Sequence, residues 1–500
     1  MTFFLSPKSY IKLLKTKNIT WIYFIAVAFI AANAYVVLEK ETFLGLTMPV
    51  VLFMALFFIF SFDKILFVIA CTTPLALDVT NDYFEAGISA PTEMLLLAVM
   101  LAFFVKLLFG RPFDKKIALH PISIAIIINL IWILVTCCTS VRPVVSFKFL
   151  VARLWFVIPM FYVMTQFVKN PKNIYRFLWC YIVPLVIVSI YTIIRHASYG
   201  FSQASGNWVV SPFYNDHTAY GAALALFIPL LLHFSFSKQY TKKQRFVSFL
   251  VAAFLMVSMV MSYCRAAWLS LFLGFIVWGI IVLRIRTRYL LIVASVFIAI
   301  FFTFQHEIIY SLEKNQDDSS SDFSQHLRSV TNITTDASNV ERLNRWSCAI
   351  RMFKEKPIFG WGPGTYQFEY APFQKHIELS TASTNHGDVG NAHSEYLGPL
   401  SESGLFGSLS FLSIVLLTIY YGIKVYRNQK NKKLKQIALL LTVGLITYFL
   451  HGILNNFLDT EKLSVPFWGF IAIIVALDVY YSDENEQNKV VELQQDREII

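Results

Sequence analysis

Charge is scarce in this chain. Only 15% of its 500 residues are Asp, Glu, Lys or Arg, while 56% are hydrophobic and Phe alone supplies 47. A soluble domain carries about 25% charge and spreads it over the outer faces of its helices, so a string of ordinary soluble domains is excluded. Cysteine is also sparse. There are six, with no CxxC and no zinc spacing, so nothing points to a metal. Cys71, Cys137, Cys138 and Cys180 fall inside apolar stretches, where Cys acts as a small hydrophobe. Cys264 and Cys348 fall outside them and either pair or stay as two separate thiols. No internal repeat is visible, whereas many transporters show inverted repeats meeting at mid-membrane.

What the chain has is apolar blocks near the roughly 20 residues a helix needs to cross hydrocarbon. Fourteen candidates lie near 19–38, 43–61, 63–77, 92–109, 121–139, 149–168, 174–194, 217–236, 246–263, 266–283, 289–304, 404–424, 436–456 and 464–481. The second and third are barely separated and the third is short, so the range is 12–14 spans in an all-α, polytopic transmembrane bundle. The basic start precedes a block long enough to remain as the first span, and Ala32-Asn33-Ala34 falls inside it.

The net charge of +11 is scattered over short loops, a pattern of membrane orientation and not of a nucleic-acid face. With a cytoplasmic N-terminus, 25 basic residues fall in inside segments and 6 in short outside loops. The expected order is spans 1–11 over residues 1–304, a periplasmic loop over 305–403, spans 12–14 over 404–481, and an acidic cytoplasmic tail over 482–500. Both termini then face the cytoplasm. Within the loop, 315–339 reads as a polar linker. Glu341 to Lys356 reads as a helix with Leu343, Trp346, Ile350 and Phe353 on one face, lying at the membrane interface. Pro357 ends it and Gly360-Trp361-Gly362-Pro363-Gly364 forces turns.

Three places put polar groups where a membrane protein avoids them. Arg265, in the tight turn Ser262 to Trp268, either snorkels to headgroups or binds an anion. Arg342 and Arg345 share one side of the loop helix, as a solvated edge or as a paired grip on phosphate. His393, beside Glu395 and near Glu402, either caps a helix start or acts as a general base. His386, Asp388 and His393 match no standard metal spacing. Further candidates are Arg142, Arg153 about one turn inside an apolar block, and Asn215-Asp216-His217 at a span start. A buried Arg implies a partner or a function.

With these residues in place the sequence resembles the O-antigen ligase and O-antigen polymerase superfamily of bacterial membrane glycosyltransferases. His393-Ser394, nine residues, then Gly404-Leu405-Phe406-Gly407 is the most specific match, with Glu402 just before it. Glu341-Arg342-Leu343 with Trp346, the 360–366 turn, Cys264-Arg265-Ala266-Ala267-Trp268 and Asn215 follow the same family pattern, Cys264 standing where Ser is common. The resemblance implies a GT-C type membrane fold in the bacterial inner membrane with a periplasmic active site. It implies transfer of a glycan from undecaprenyl diphosphate to a sugar hydroxyl of lipid A–core, or to a second lipid-linked glycan, without cofactor or metal. It casts His393 as base and Arg265 and Arg342 as diphosphate ligands, with Arg153, Asn215, Arg345 and Glu402 in support. A flippase is the competing class.

Overall fold

The computed structural model describes residues 64–81, 86–109, 113–286, 288, 289, 295, 337–375 and 390–481. The expected spans 19–38, 43–61 and 289–304, most of the polar linker, His386, Asp388 and the tail lie outside them. The chain divides into two compact units, Met1–Ala70 and Cys71–Ile500. Of the first, only residues 64–70 are described. They open an eight-residue helix, Ile65–Thr72, followed by a 3-10 turn, Thr73–Leu75, with Pro74 near its start. That helix rises only about 12 Å, too short to cross the roughly 30 Å hydrocarbon core. The chain then turns back as a hairpin, β1 (Leu77–Asn81) against β2 (Ala86–Ala90), antiparallel with Leu77 opposite Ala90.

Apart from this hairpin the second unit is helical, as expected. α1 (Thr92–Leu108) is followed by α2 (Pro121–Cys138), α3 (Pro143–Phe167), α4 (Pro171–Ser198), α5 (His217–Phe236), α6 (Lys242–Met261) and α7 (Arg265–Val282). α8 (Ala337–Glu355) is the loop helix, and α9 (Leu397–Asn428), α10 (Lys432–His451) and α11 (Glu461–Tyr480) close the unit. Nine of these helices among the described residues are long and apolar enough to cross a membrane. Their starts follow local chemistry. Pro121, Pro143 and Pro171 stand at first helical positions, where the missing N–H costs nothing. Asp216 caps α5, Asn431 caps α10, and Thr241 with Gln244 forms a full capping box on α6.

Burial separates centre from rim. In α5, α10 and α11 83% of the span is buried, against 28% in α6 and α7, so the first three form the middle of the described helices and the last two lie at their rim. Leu269, Phe272, Ile276 and Trp278 of α7 are accordingly exposed. Between Ile158 and Val163, α3 loosens into a π-helical stretch containing Pro159, which has no N–H for the regular ladder.

α9 differs most from its expected form. It starts at Leu397 rather than near 404, and it breaks at Gly404, which has φ 68° and ψ −169°. The break fits the 357–364 turn against it. Trp361 N donates to Ser401 O at 3.1 Å, Gly362 N to Glu402 O at 2.8 Å, and Leu405 N to Pro357 O at 2.9 Å. Trp132 Nε1 takes up the Ser403 carbonyl at 2.8 Å. The backbones approach so closely that a Cβ on Gly404 would stand 2.0 Å from Ile358 O, and one on Gly360 2.3 Å from the Glu402 carbonyl carbon. Both glycines also hold positive φ.

Candidate active site

The links between helices gather at one end of the second unit, joined by hydrogen bonds. Tyr263 OH donates to Phe201 O at 2.9 Å, Glu395 N to Gly452 O at 2.8 Å, and Arg342 Nε to Leu454 O at 3.2 Å. The turn bearing Arg265, the cap of α5, helix α8, the segment 390–396 and the α10–α11 link therefore meet there. Arg265, Arg342 and His393 arrive from three widely separated stretches of sequence.

Arg342 lies within electrostatic reach of Asp216 and Cys264, and its like charge weighs on Arg265. Burial pulls the Arg342 guanidinium below its ordinary pKa, but Arg at such sites stays charged. Two guanidinium groups held near each other, at least one of them largely desolvated, form a place where an anion relieves repulsion. Asp216 has a fixed duty there. Its Oδ1 accepts from Thr218 N at 2.8 Å and its Oδ2 from Thr218 Oγ1 at 2.5 Å. Burial opposes its ionisation, but His217 and the Thr218 donors prevail and hold the carboxyl below the usual range.

His393, within electrostatic reach of Arg345 and Arg342, holds a left-handed conformation, φ 48°, uncommon outside glycine and frequent at functional sites. Its N–H donates to Asn391 Oδ1 at 3.0 Å, a local Asx-type bond that holds the turn. Its carbonyl accepts weakly from Trp346 Nε1 at 3.4 Å, one helical turn from Arg342. Burial first, then the charges of Arg345 and Arg342, push the imidazole down to about 4. The ring is therefore neutral at pH 7 and free to accept a proton. Tyr263, two residues before Arg265, also holds positive φ, 51°.

Arg342 and Arg345, alike in the sequence, part company here. Arg345 is 4% exposed, its Nε on Glu341 Oε1 at 2.7 Å and its Nη1 on Asn391 O at 3.2 Å. It also stacks over Tyr370, 5.1 Å from the ring centroid. Gly390 makes room for it, since a Cβ there would meet Nη1 at 2.0 Å. Arg345 is thus a clamp between α8 and the His393 segment. The buried face of α8 is Glu341, Asn344, Arg345, Cys348 and Met352, while Leu343 and Ile350 of the expected apolar face point outward.

The remaining candidates are tied into the frame. Glu402 Oε1 accepts from Tyr366 N at 3.0 Å, and the Gly364 N–H also bonds this carboxylate, fixing the glycine-rich turn. Arg153 finds the partner its burial demands, Asp459 at 3.2 Å. Arg142 pairs with Glu369 at 2.6 Å. Asn215 is exposed next to the capping Asp216. Cys264 and Cys348 are both buried and do not pair as a disulfide. Cys264 occupies the N-cap position of α7 without a side-chain cap bond and packs on Gly221, where a Cβ would come within 2.8 Å of its own Cβ. His451 was not singled out in the sequence because it ends an apolar helix. It is buried among the same charges, Arg342 and Asp216, with Nε2 3.1 Å from Asn455 Nδ2. Among the described residues no cluster of His, Cys, Asp or Glu is arranged to hold a metal.

Fold and site together define a polytopic helical membrane protein with a cationic, histidine-bearing centre at one end of its bundle. A model of the family described as O-Antigen ligase matches residues 249–412, a stretch that includes Arg265, Arg342, His393 and Glu402. Residues 249–412 are thus similar to the O-antigen ligase family, whose members are glycosyltransferase-like enzymes. A Haemophilus influenzae (strain ATCC 51907 / DSM 11121 / KW20 / Rd) protein described as "Uncharacterized protein" is 27% identical over 244 residues. Those residues are 47% of this chain and 57% of that protein, so the chain spans little more than half of its relative's length.

Proposed function

We propose that the chain is an O-antigen ligase of the bacterial inner membrane, moving a glycan from undecaprenyl diphosphate to a sugar hydroxyl of lipid A–core on the periplasmic face. The convergence of Arg265, Arg342 and His393 at one end of the bundle carries this reading. The acceptor oxygen attacks the anomeric carbon, and the bond from that carbon to the diphosphate oxygen breaks. The electron pair leaves with the lipid diphosphate, whose charge Arg265 and Arg342 stabilise. His393 takes the hydroxyl proton and later releases it to water. A single displacement inverts the anomeric configuration. Bound diphosphate also offsets the positive field that depresses the His393 pKa, so donor binding makes the base stronger when it is needed.

Gene deletion followed by lipopolysaccharide gels tests the assignment. Uncapped core with accumulated free polymer is the ligase outcome. Core bearing a single repeat unit would instead assign the chain to polymerisation on the lipid carrier. Movement of lipid-linked glycan between leaflets by purified protein, without glycosidic bond formation, would assign it to transport. His393→Ala should lower transfer per folded molecule by about 100-fold or more and leave binding of undecaprenyl diphosphate nearly intact. Transfer near the wild-type rate would remove His393 from the mechanism.

A further inference from the structure

Behind the His393 segment lies a separate cavity of about 300 Å³, lined by Arg153, Tyr366, Glu395, Glu402, Asn456 and Asp459. Neither Arg265 nor Arg342 lines it. Its chemistry differs from that of the arginine centre, with three carboxyl groups against one guanidinium. It offers a diphosphate one cation where the arginine centre offers two. Glu395 Oε1 is held rigidly by Tyr448 OH at 2.6 Å, Phe457 N at 2.8 Å and Leu458 N at 3.0 Å. Burial and the neighbouring Asp459 keep its carboxyl above the usual range. Asn456 Oδ1 is buried with no hydrogen-bond partner, an acceptor of the kind that a ligand or water must satisfy. Phe149 and Tyr366 add aromatic surface.

We infer that this cavity binds a ring of an uncharged or amino-bearing saccharide, and that it is the subsite for the acceptor glycan. Sugar hydroxyls donate and accept at once, and fixed carboxylates, amide and guanidinium answer both roles. The apolar face of a ring packs on an aromatic side chain. The volume lies at the lower end of ligand pockets, enough for a single ring and its immediate linkage. Asn391, Ala392, Ser394 and Glu395 line the cavity and flank His393, so a sugar held there lies against the segment that carries the base. The acceptor role rests on the ligase reading, whereas sugar binding does not.

Gly398 supplies the test. It lines the cavity in the first turn of α9, and a Cβ there would meet nothing within 4 Å. Gly398→Leu therefore adds bulk at the cavity wall from a position where a Cβ meets no neighbour, and improves helix propensity, while Gly398→Ala adds less. Saturation-transfer NMR with the methyl glycosides of glucose, galactose and glucosamine, on full-length protein in micelles, reads binding directly. Inorganic diphosphate is the control ligand for the arginine centre. The expected result is sugar binding by the wild type, weakened about tenfold in Gly398→Leu and less in Gly398→Ala, with diphosphate binding unchanged. In transfer assays Gly398→Leu should raise the acceptor KM about tenfold and leave the donor KM alone. Sugar binding lost in Gly398→Leu sustains the subsite even where no transfer is found, a result that would count only against the ligase reading. Equal sugar binding by wild type and Gly398→Leu, or none by the wild type, overturns the inference.

Discussion

Replacing Glu341 by Gln removes the charge facing Arg345 while keeping the shape of the side chain. Both partners are nearly buried, 6% and 4% exposed, and their bond is 2.7 Å long. Taking one charge from such a pair strands the other, at a cost of about 3–5 kcal/mol. Arg345 keeps the Asn391 carbonyl and the Tyr370 face, which places the expected cost at the lower end of that range. With about 2–4 °C per kcal/mol for mid-sized domains and less for larger ones, the unfolding midpoint should fall by roughly 5–10 °C. Detergent unfolding is commonly irreversible, so midpoints are compared at one scan rate. Glu341→Leu with Arg345→Met removes both charges together and should recover most of the loss. Arg342→Ala relieves repulsion with Arg265 but gives up the bond to the Leu454 carbonyl and the attraction of Asp216, so the midpoint should fall less than for Glu341→Gln while undecaprenyl diphosphate binding falls. The clamp would be refuted by a Glu341→Gln midpoint within about 1 °C of wild type. A large drop for Arg342→Ala would refute the division of labour between the two arginines.

Arg265→Lys and Arg342→Lys keep a charge but lose the planar two-pronged grip, so each should weaken donor binding by about tenfold, measured by titration with undecaprenyl diphosphate; unchanged affinity would argue against diphosphate contact. In the free enzyme His393 titrates near 4, so kcat/KM for the donor should stay level from pH 7 down to about 5. The acid limb of kcat should lie higher, because bound diphosphate raises the pKa; an acid limb near 6.5 in kcat/KM would contradict the depressed value. The same depression means that the unfolded chain binds the extra proton below pH 6.5, so stability falls from there towards pH 4; His393→Ala should flatten that slope in midpoint-against-pH measurements. Gly404→Ala forces positive φ on a side chain and drives its Cβ into Ile358 O, so it should cost at least 1–3 kcal/mol and shift the 357–364 turn; a midpoint equal to wild type would show that the break in α9 relaxes freely.

Much of this was legible in the sequence. Apolar blocks of span length gave α2 to α7 and α10 to α11 with small errors at their ends, because hydropathy and helix starts are local properties. The short third block, 63–77, is the helix Ile65–Thr72 and not a full span, and the hairpin escaped because Leu77–Asn81 and Ala86–Ala90 lie between two apolar blocks and carry no sustained apolar alternation. The start of α9 was misplaced because Gly404 reads as a helix boundary, whereas here it is a break that the packing of the 357–364 turn enforces. Arg345 resembled Arg342 because spacing reports direction from the helix axis, not what waits there. Only the fold reveals Glu341 and Asn391 around one, and Asp216 and Arg265 near the other. Asp216 and His451 gain meaning the same way, through neighbours far along the chain.

The wiring between residues 357–362 and 401–405 has an evolutionary consequence. Its bonds run from main chain to main chain, so they are indifferent to the side chains at Trp361, Ser401 and Leu405, and only the glycines are constrained by shape. Lining residues outside that wiring, such as Val145 and Gln367, can then vary without disturbing the turn, whereas Asn391, Glu395 and Glu402 are held by their own bonds. On the ligase reading, the cavity is therefore open to new sugar preferences by substitution alone.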